Sequence, residues 1–212
     1  HGQQSFGVLA LGSQSEIRFQ PKQSTDFLQH LAQVIGLTLE NAVTRERLTL
    51  LAVTDSLTGI HNQRFFQPHS HQHVSQWFGK DIGIACIYCS VDGFTQVKEG
   101  LGHTASDKVL NIVSKKIQRH IRSLDTLIRM GDHEFVIFLP SCSCEKASEI
   151  AWRMLGTKPM TLGKAYQLGL SMGVSYSSAK KDKLVKELVK EADQARHIAK
   201  ALGGHRVEIA NS

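Results

Sequence analysis

The sequence predicts an α/β (α+β) fold, a mixed central sheet flanked by helices, preceded by an N-terminal strand and a long connecting helix. Three observations carry that expectation. Apolar runs at 82–91 and 168–176 alternate with stretches whose apolar residues recur every three or four positions. Gly131-Asp132 stands between two further apolar runs, which is a hairpin signal. With 212 residues, 41% of them hydrophobic and 21% charged, the chain can bury one sizeable core and carry an appendage.

Residues 6–11, Phe-Gly-Val-Leu-Ala-Leu, form a candidate buried strand that Gly12-Ser13 turns. Ser24 or Thr25 can cap a helix beginning at Asp26. Phe27, Leu28, Leu31, Val34, Ile35, Leu39, Ala42 and Val43 give that helix an apolar stripe, and it is expected to run to about Leu51. A second helix is expected over 65–78. The strand at 82–91 leads into a loop carrying Asp92-Gly93-Phe94 and Gly100-Leu101-Gly102-His103, then a helix over 106–121. After the hairpin come a helix at 145–155, the strand at 168–176, a helix at 184–202 stopped by Gly203-Gly204, and a short last strand at 206–209.

Composition narrows the function classes. No apolar run approaches the ~20 residues that span a bilayer, and the first residues lack the basic and apolar zones of a signal peptide. A cytoplasmic protein with no membrane contact in this stretch is the expectation. The net charge of +6 favours anionic partners, yet Lys180-Lys181-Asp182-Lys183 has no interleaved aromatics, so nucleic acid is not an expected partner. Cys86 and Cys89 lie three apart on a strand and face opposite ways, so the four cysteines suggest reduced thiols rather than a disulfide frame or metal cage. His69, His71 and His73 are two apart on an expected helix, which scatters them around it.

Two stretches resemble known families. Gly7-Val-Leu-Ala-Leu-Gly12-Ser13, Arg18-Phe19-Gln20-Pro21 and Thr25-Asp26-Phe27-Leu28 are similar to the end of a GAF-type sensory domain. Residues 1–48 are therefore expected to be its C-terminal fragment and linker helix. From 52 to 212 the chain resembles the GGDEF domain, the domain of diguanylate cyclases, which condense two GTP into cyclic di-GMP. The match rests on Asp55-Ser-Leu57-Thr58-Gly59-Ile60-His61-Asn62, on Gly131-Asp132-His133-Glu134-Phe135, on Ser171-Met-Gly173-Val174, and on Ala192-Asp193-Gln-Ala195 with Ala199-Lys200.

The resemblance implies two Mg²⁺ ions held by carboxylates, and the carboxylates are what this chain has lost. Ser90 stands where the family has the Asp of Asp-x-Asp-x-Phe-Lys, and His133 where the signature has its acidic third residue. Mg²⁺ wants hard oxygen ligands at ~2.1 Å, and imidazole suits it poorly. Thr95 replaces a phosphate-binding Lys, Lys98 a guanine-reading Asn, Asp132 the second signature Gly, and Gly204 a late Arg. Asp92, Asp107 and Glu134 survive as a vestigial GTP-binding set, and Asp92 shares a strand face with Ser90, from which a site could be rebuilt with Glu134. No catalytic residue, metal or cofactor is expected, Mg²⁺ only with residual cyclase activity, and GTP is expected to bind weakly or not at all.

What survives upstream is Arg122-Ser-Leu-Asp125, at the family's Arg-x-x-Asp site for cyclic di-GMP, with Lys200 at the family's late Lys. A guanidinium can grip a guanine edge or a phosphate, and a carboxylate can accept from guanine N–H groups. The bare motif is cheap, and an ordinary helix end followed by a strand would look the same. Three readings stand: an inactive receptor for cyclic di-GMP acting through Arg122, Asp125 and Lys200; a weak diguanylate cyclase; and a nucleotide-free interaction scaffold. A homodimer through the 25–51 helix is expected on each.

Overall fold

The computed structural model describes residues 26–66, 83–163, 165–178 and 185–210, with positions 8, 10, 12 and 14 before them. Most of the expected strand at 6–11 and most of the helix at 65–78 lie outside these. The chain divides into two units, 1–52 and 53–212.

In the first unit, helix α1 spans Asp26–Val53, close to the expected bounds. None of its residues is buried. Phe27, Val34, Leu37, Leu39, Val43, Leu48, Leu50 and Leu51 all stand exposed.

The second unit is built on a mixed sheet. Its strands are β1 (His61–Asn62), β2 (Ile84–Asp92), β3 (Thr126–Arg129), β4 (Glu134–Pro140), β5 (Met160–Leu162), β6 (Tyr166–Ser177) and β7 (Arg206–Ile209). They run in the order β1-β3-β4-β2-β6-β5, with β7 also on β6. The β1–β3 and β6–β7 pairs are parallel and the others antiparallel. Helices α2 (Phe94–Gln118), α3 (Cys144–Leu155) and α4 (Val185–Ala201) complete the unit.

Strand β2 is apolar at nearly every position because both of its faces are covered. Ala85, Ile87, Cys89 and Val91 pack with Val109, Val113 and Ile117 of α2 and with Ile150 and Met154 of α3. Ile84, Cys86 and Tyr88 pack instead with Val185, Leu188, Val189 and Ala192 of α4. Each fully buried side chain of this kind contributes roughly 1.5–3 kcal/mol relative to exposure. Cys86 and Cys89 do separate onto opposite faces, and all four cysteines are free.

Helix α4 approaches the sheet closely because β6 has a glycine beneath it. A Cβ on Gly173 would collide with the Ala192 carbonyl oxygen and the Arg196 amide nitrogen. That approach sets where the C-terminal half of α4 lies over β2 and β4.

Three local expectations are corrected. The loop expected at 92–105 is the first part of α2, which starts at Phe94 and breaks its helical geometry at Gly102, φ 78°. Glycine adopts that φ without steric cost, so a broken helix replaces a loop and a later start. Residues 65 and 66, expected to open the helix at 65–78, belong instead to a 3-10 turn at Gln63–Phe66. The hairpin turn is also wider than a two-residue Gly131-Asp132 turn: Arg129 pairs with Phe135, the Met130 N–H donates to the Glu134 carbonyl at 2.9 Å, and neither Gly131 nor Asp132 adopts positive φ. A primed two-residue turn would need positive φ at its centre. Side-chain bonds described below hold the turn instead.

Candidate functional site

The signature turn is tied down from within. Arg129 Nε donates to the Gly131 carbonyl at 3.2 Å and Nη2 to the Asp132 carbonyl at 3.0 Å. Its Nη1 reaches both oxygens of Asp55, at 3.1 and 3.0 Å. Asp55 also accepts from the Thr58 N–H at 2.9 Å and the Thr58 hydroxyl at 2.6 Å. Burial works to raise the Asp55 pKa, but the Thr58 bonds and the Arg129 charge outweigh it and hold the carboxyl below its usual range. Asp55 and Thr58 thus fold their own turn and fasten it to the hairpin.

At the open end of β2, register brings Ser90 opposite Glu134 on one side and Ser171 on the other. Ser90 is fully buried. Asp92, two residues on, accepts from the Ser171 hydroxyl at 2.9 and 2.8 Å and from the His205 N–H at 2.9 Å. That carboxylate joins β2 to β6 and to the connection between α4 and β7. Glu134 accepts from the Tyr88 hydroxyl at 3.0 Å. Asp92 and Glu134, expected as the makings of a rebuilt site, are therefore engaged by different partners.

One residue of this site was not foreseen. Arg196, on α4, is only 3% exposed, and its guanidinium lies against the Ser90–Glu134 pair. Nη1 is 3.5 Å from Ser90 Oγ and 3.8 Å from Glu134 Oε1. Nε and Nη2 bond Asp193 at 2.7 and 2.6 Å, and the guanidinium lies 5.2 Å from the Tyr88 ring centroid. The signal was present in the sequence: Arg196 stands where the resembled helix has Leu between its Ala and Tyr. Its meaning depends on which face of α4 meets the sheet.

His133 stacks on Phe94, ring centroids 5.3 Å apart, while its carbonyl accepts from the Val91 N–H. Burial first, then the Lys200 charge, pushes its pKa below the usual value and keeps the imidazole neutral near pH 7. Lys98 Nζ meets Asp132 Oδ2 at 3.1 Å, so two positions that depart from the resembled pattern answer each other. That bond first, and the Lys98 charge with it, lower the Asp132 pKa. Asp107 stands exposed on α2.

The donor set does not fit the divalent ion that the resemblance implies. Ser90 offers a buried hydroxyl beside a guanidinium, His133 a stacked ring, and Asp92 and Glu134 carboxylates already taken up. No group of three His, Cys, Asp or Glu positioned to hold a metal occurs among the described residues.

Arg122 and Asp125 fall in a separate place. They line a cavity of about 410 Å³ together with His61, Gln118, Ile121 and Thr126. Asp125 Oδ2 accepts from the Arg122 N–H at 2.7 Å, and the Asp125 N–H returns a bond to the Arg122 carbonyl. Burial raises the Asp125 pKa against that bond and the Arg122 charge. Among the described residues the Arg122 guanidinium has no hydrogen-bond or ion-pair partner. The His61 ring bonds the Val53 backbone, yet its buried Nδ1 has no hydrogen-bond partner among the described residues. Lys200 is not among the residues that line this cavity; its charge bears on His133 at the signature turn.

Comparison with known proteins places the chain. The sequence model of the family described as "Diguanylate cyclase, GGDEF domain" matches residues 52–206. Diguanylate cyclase DgcP of Pseudomonas aeruginosa is 29% identical over 164 residues, 75% of this chain and 24% of that protein. Cyclic di-GMP phosphodiesterase NbdA of the same organism is 29% identical over 165 residues, 76% of this chain and 21% of that protein. The chain thus spans about a quarter or less of these curated relatives. Among solved structures, the coiled coil and GGDEF domain of DgcB from Caulobacter crescentus, in complex with c-di-GMP, superposes with a TM-score of 0.74 at 18% identity, covering 88% of this chain and all of that one.

Proposed function

We propose that this chain, which belongs to the diguanylate cyclase GGDEF domain family, is a catalytically inactive signalling module that binds cyclic di-GMP through Arg122 and Asp125. The observation that carries the reading is the cavity at these residues. An exposed guanidinium and an imidazole nitrogen that have no partner among the described residues, and a half-buried carboxylate, line one space of about 410 Å³, within the range of small-molecule sites. The guanidinium can fork onto a phosphate or a guanine edge, and the carboxylate can accept guanine N–H groups. The coiled coil and GGDEF domain of DgcB, solved in complex with c-di-GMP, shares the fold.

Inactivity is inferred from the charge at the signature turn. Phosphoryl chemistry of this class needs anionic ligands and divalent ions to neutralise charge on the phosphates. Here a hydroxyl, a neutral imidazole and a guanidinium occupy the corresponding places, so no Mg²⁺ is assigned and GTP is expected to bind weakly or not at all. Lys200 belongs with this turn as an added positive charge rather than with the Arg122 cavity.

The module is proposed to act as a homodimer through α1, whose exposed leucines, valines and phenylalanine gain by burial against a second copy. A monomer by light scattering at roughly 50 μM would remove that part.

Calorimetric titration of the whole chain with cyclic di-GMP tests the receptor reading. Saturable binding with a dissociation constant on the order of 1 μM or tighter, lost in Arg122→Ala, is expected. Flat heats in both forms would refute it. Magnesium-dependent conversion of GTP to cyclic di-GMP would instead establish the weak cyclase that relatives such as DgcP suggest.

A further inference from the structure

We infer that the Arg196 guanidinium is a built-in cation for the site at the open end of β2, and that its presence is what bars a divalent ion from Ser90 and Glu134. The inference rests on the inactive half of the function proposed above and is independent of ligand binding at Arg122.

The geometry has three parts. Arg196 is almost wholly buried, and a buried guanidinium cannot shed its charge. It must be neutralised in place, and Asp193 and Glu134 supply two carboxylates for it. The guanidinium carbon lies over the Tyr88 ring, 5.2 Å from its centroid, while the Tyr88 hydroxyl donates to Glu134, so the aromatic residue braces both partners of the ion pair. Ser90, set opposite Glu134 in the ladder, contributes a neutral oxygen at 3.5 Å. A carboxylate there would add a third anion to one buried cation, whereas a hydroxyl leaves the balance closer to even.

Placement is fixed by backbone. Gly173 lets the Ala192–Arg196 turn of α4 lie on β6, and no residue with a Cβ leaves room for that turn. Arg196 is thereby committed to the space above Ser90 rather than free to swing into solvent. A divalent ion brought to the same carboxylates, which are 30% and 34% exposed, would meet a fixed, buried positive charge at close range, where the protein screens repulsion less than bulk water does. Lys98, paired with Asp132 at the exposed signature turn, adds a second cation nearby.

Binding of Mn²⁺ to the whole 212-residue chain, followed by electron paramagnetic resonance, tests this without nucleotide. Four forms are compared: the unchanged protein, Ser90→Asp/His133→Asp, Arg196→Leu, and all three substitutions together. The unchanged protein and the two-carboxylate form are expected to show no site with a dissociation constant below about 1 mM. The triple form is expected to bind at least about ten-fold more tightly than the two-carboxylate form. Equal binding by those two forms would overturn the inference, and so would failure of the triple form to bind. Mn²⁺ binding by the unchanged protein that Glu134→Gln abolishes would overturn it too. Should the triple form not fold, Arg196→Leu alone decides. Freed of the guanidinium, Glu134 and Asp193 are expected to make its melting temperature rise with Mn²⁺ while that of the unchanged protein does not, and the same response in both overturns the inference. Each of these results can fail while cyclic di-GMP still binds, so the two proposals fall separately.

Discussion

Replacing Arg129 by Met tests how the signature turn is held. The substitution keeps a long apolar stem and removes the guanidinium, which donates to Asp55 and to the Gly131 and Asp132 carbonyls. The Arg129 and Asp55 side chains are 16% and 18% exposed, so the pair is largely dry. Breaking a fully buried pair costs ~3–5 kcal/mol, and the remaining solvent access lowers this, as do the Thr58 bonds that Asp55 keeps. We expect a loss of about 2–4 kcal/mol, which for a domain of this size lowers the melting temperature by roughly 6–12 °C. Circular dichroism melts of Arg129→Met, Asp55→Asn and the double variant measure it. The double variant should fall short of the sum by about 1–2 kcal/mol, because both single changes break one pair. A drop under ~2 °C for Arg129→Met, or strict additivity, would refute the claim that this pair holds the turn.

Other consequences are open to similar tests. Gly173→Ala should lower the melting temperature by about 5 °C or more, as the new Cβ drives α4 off β6; an unchanged melt would show that the helix has slack. Asp92→Ala strands the Ser171 hydroxyl and the His205 N–H, for an expected cost of about 2–3 kcal/mol by urea denaturation, and a cost under ~0.5 kcal/mol would remove Asp92 as the link between β2 and β7. Burial lowers the pKa of His61, His133 and His205. A histidine depressed in the folded state binds its proton first in the unfolded one, so its stability contribution is present above pH ~6.5 and lost on acidification. The melting temperature should therefore fall between pH 7.5 and 5.5 (the range around the ~6.5 reference value), and His133→Asn should flatten part of that slope. A melt that is level or rises toward pH 5.5 would contradict it.

Much of the molecule was legible in the chain alone. The order of β2, β3, β4, β6 and β7 and of α2, α3 and α4 followed from periodicity, because β2 and β4 must be apolar on both faces and α3 and α4 on one. The two- and three-residue strands β1 and β5 are too short to carry a period and were not expected. Family membership followed from short motifs at fixed spacing. The expected departures from the family pattern at Ser90, Asp132 and His133 are matters of residue type and are read from the chain directly. Tertiary structure decided what surrounds them. Arg196 is one charge among several on α4, and its place depends on Gly173, which lets that helix lie on the sheet and sets the guanidinium beside Ser90 and Glu134. Lys98 and Asp132 are 34 residues apart, and Arg129 and Asp55 74 apart, and nothing local announces either pair. Local periodicity reports which face of an element is apolar. Which charges meet depends on where separate elements are brought together, and that is settled by packing over the whole sheet.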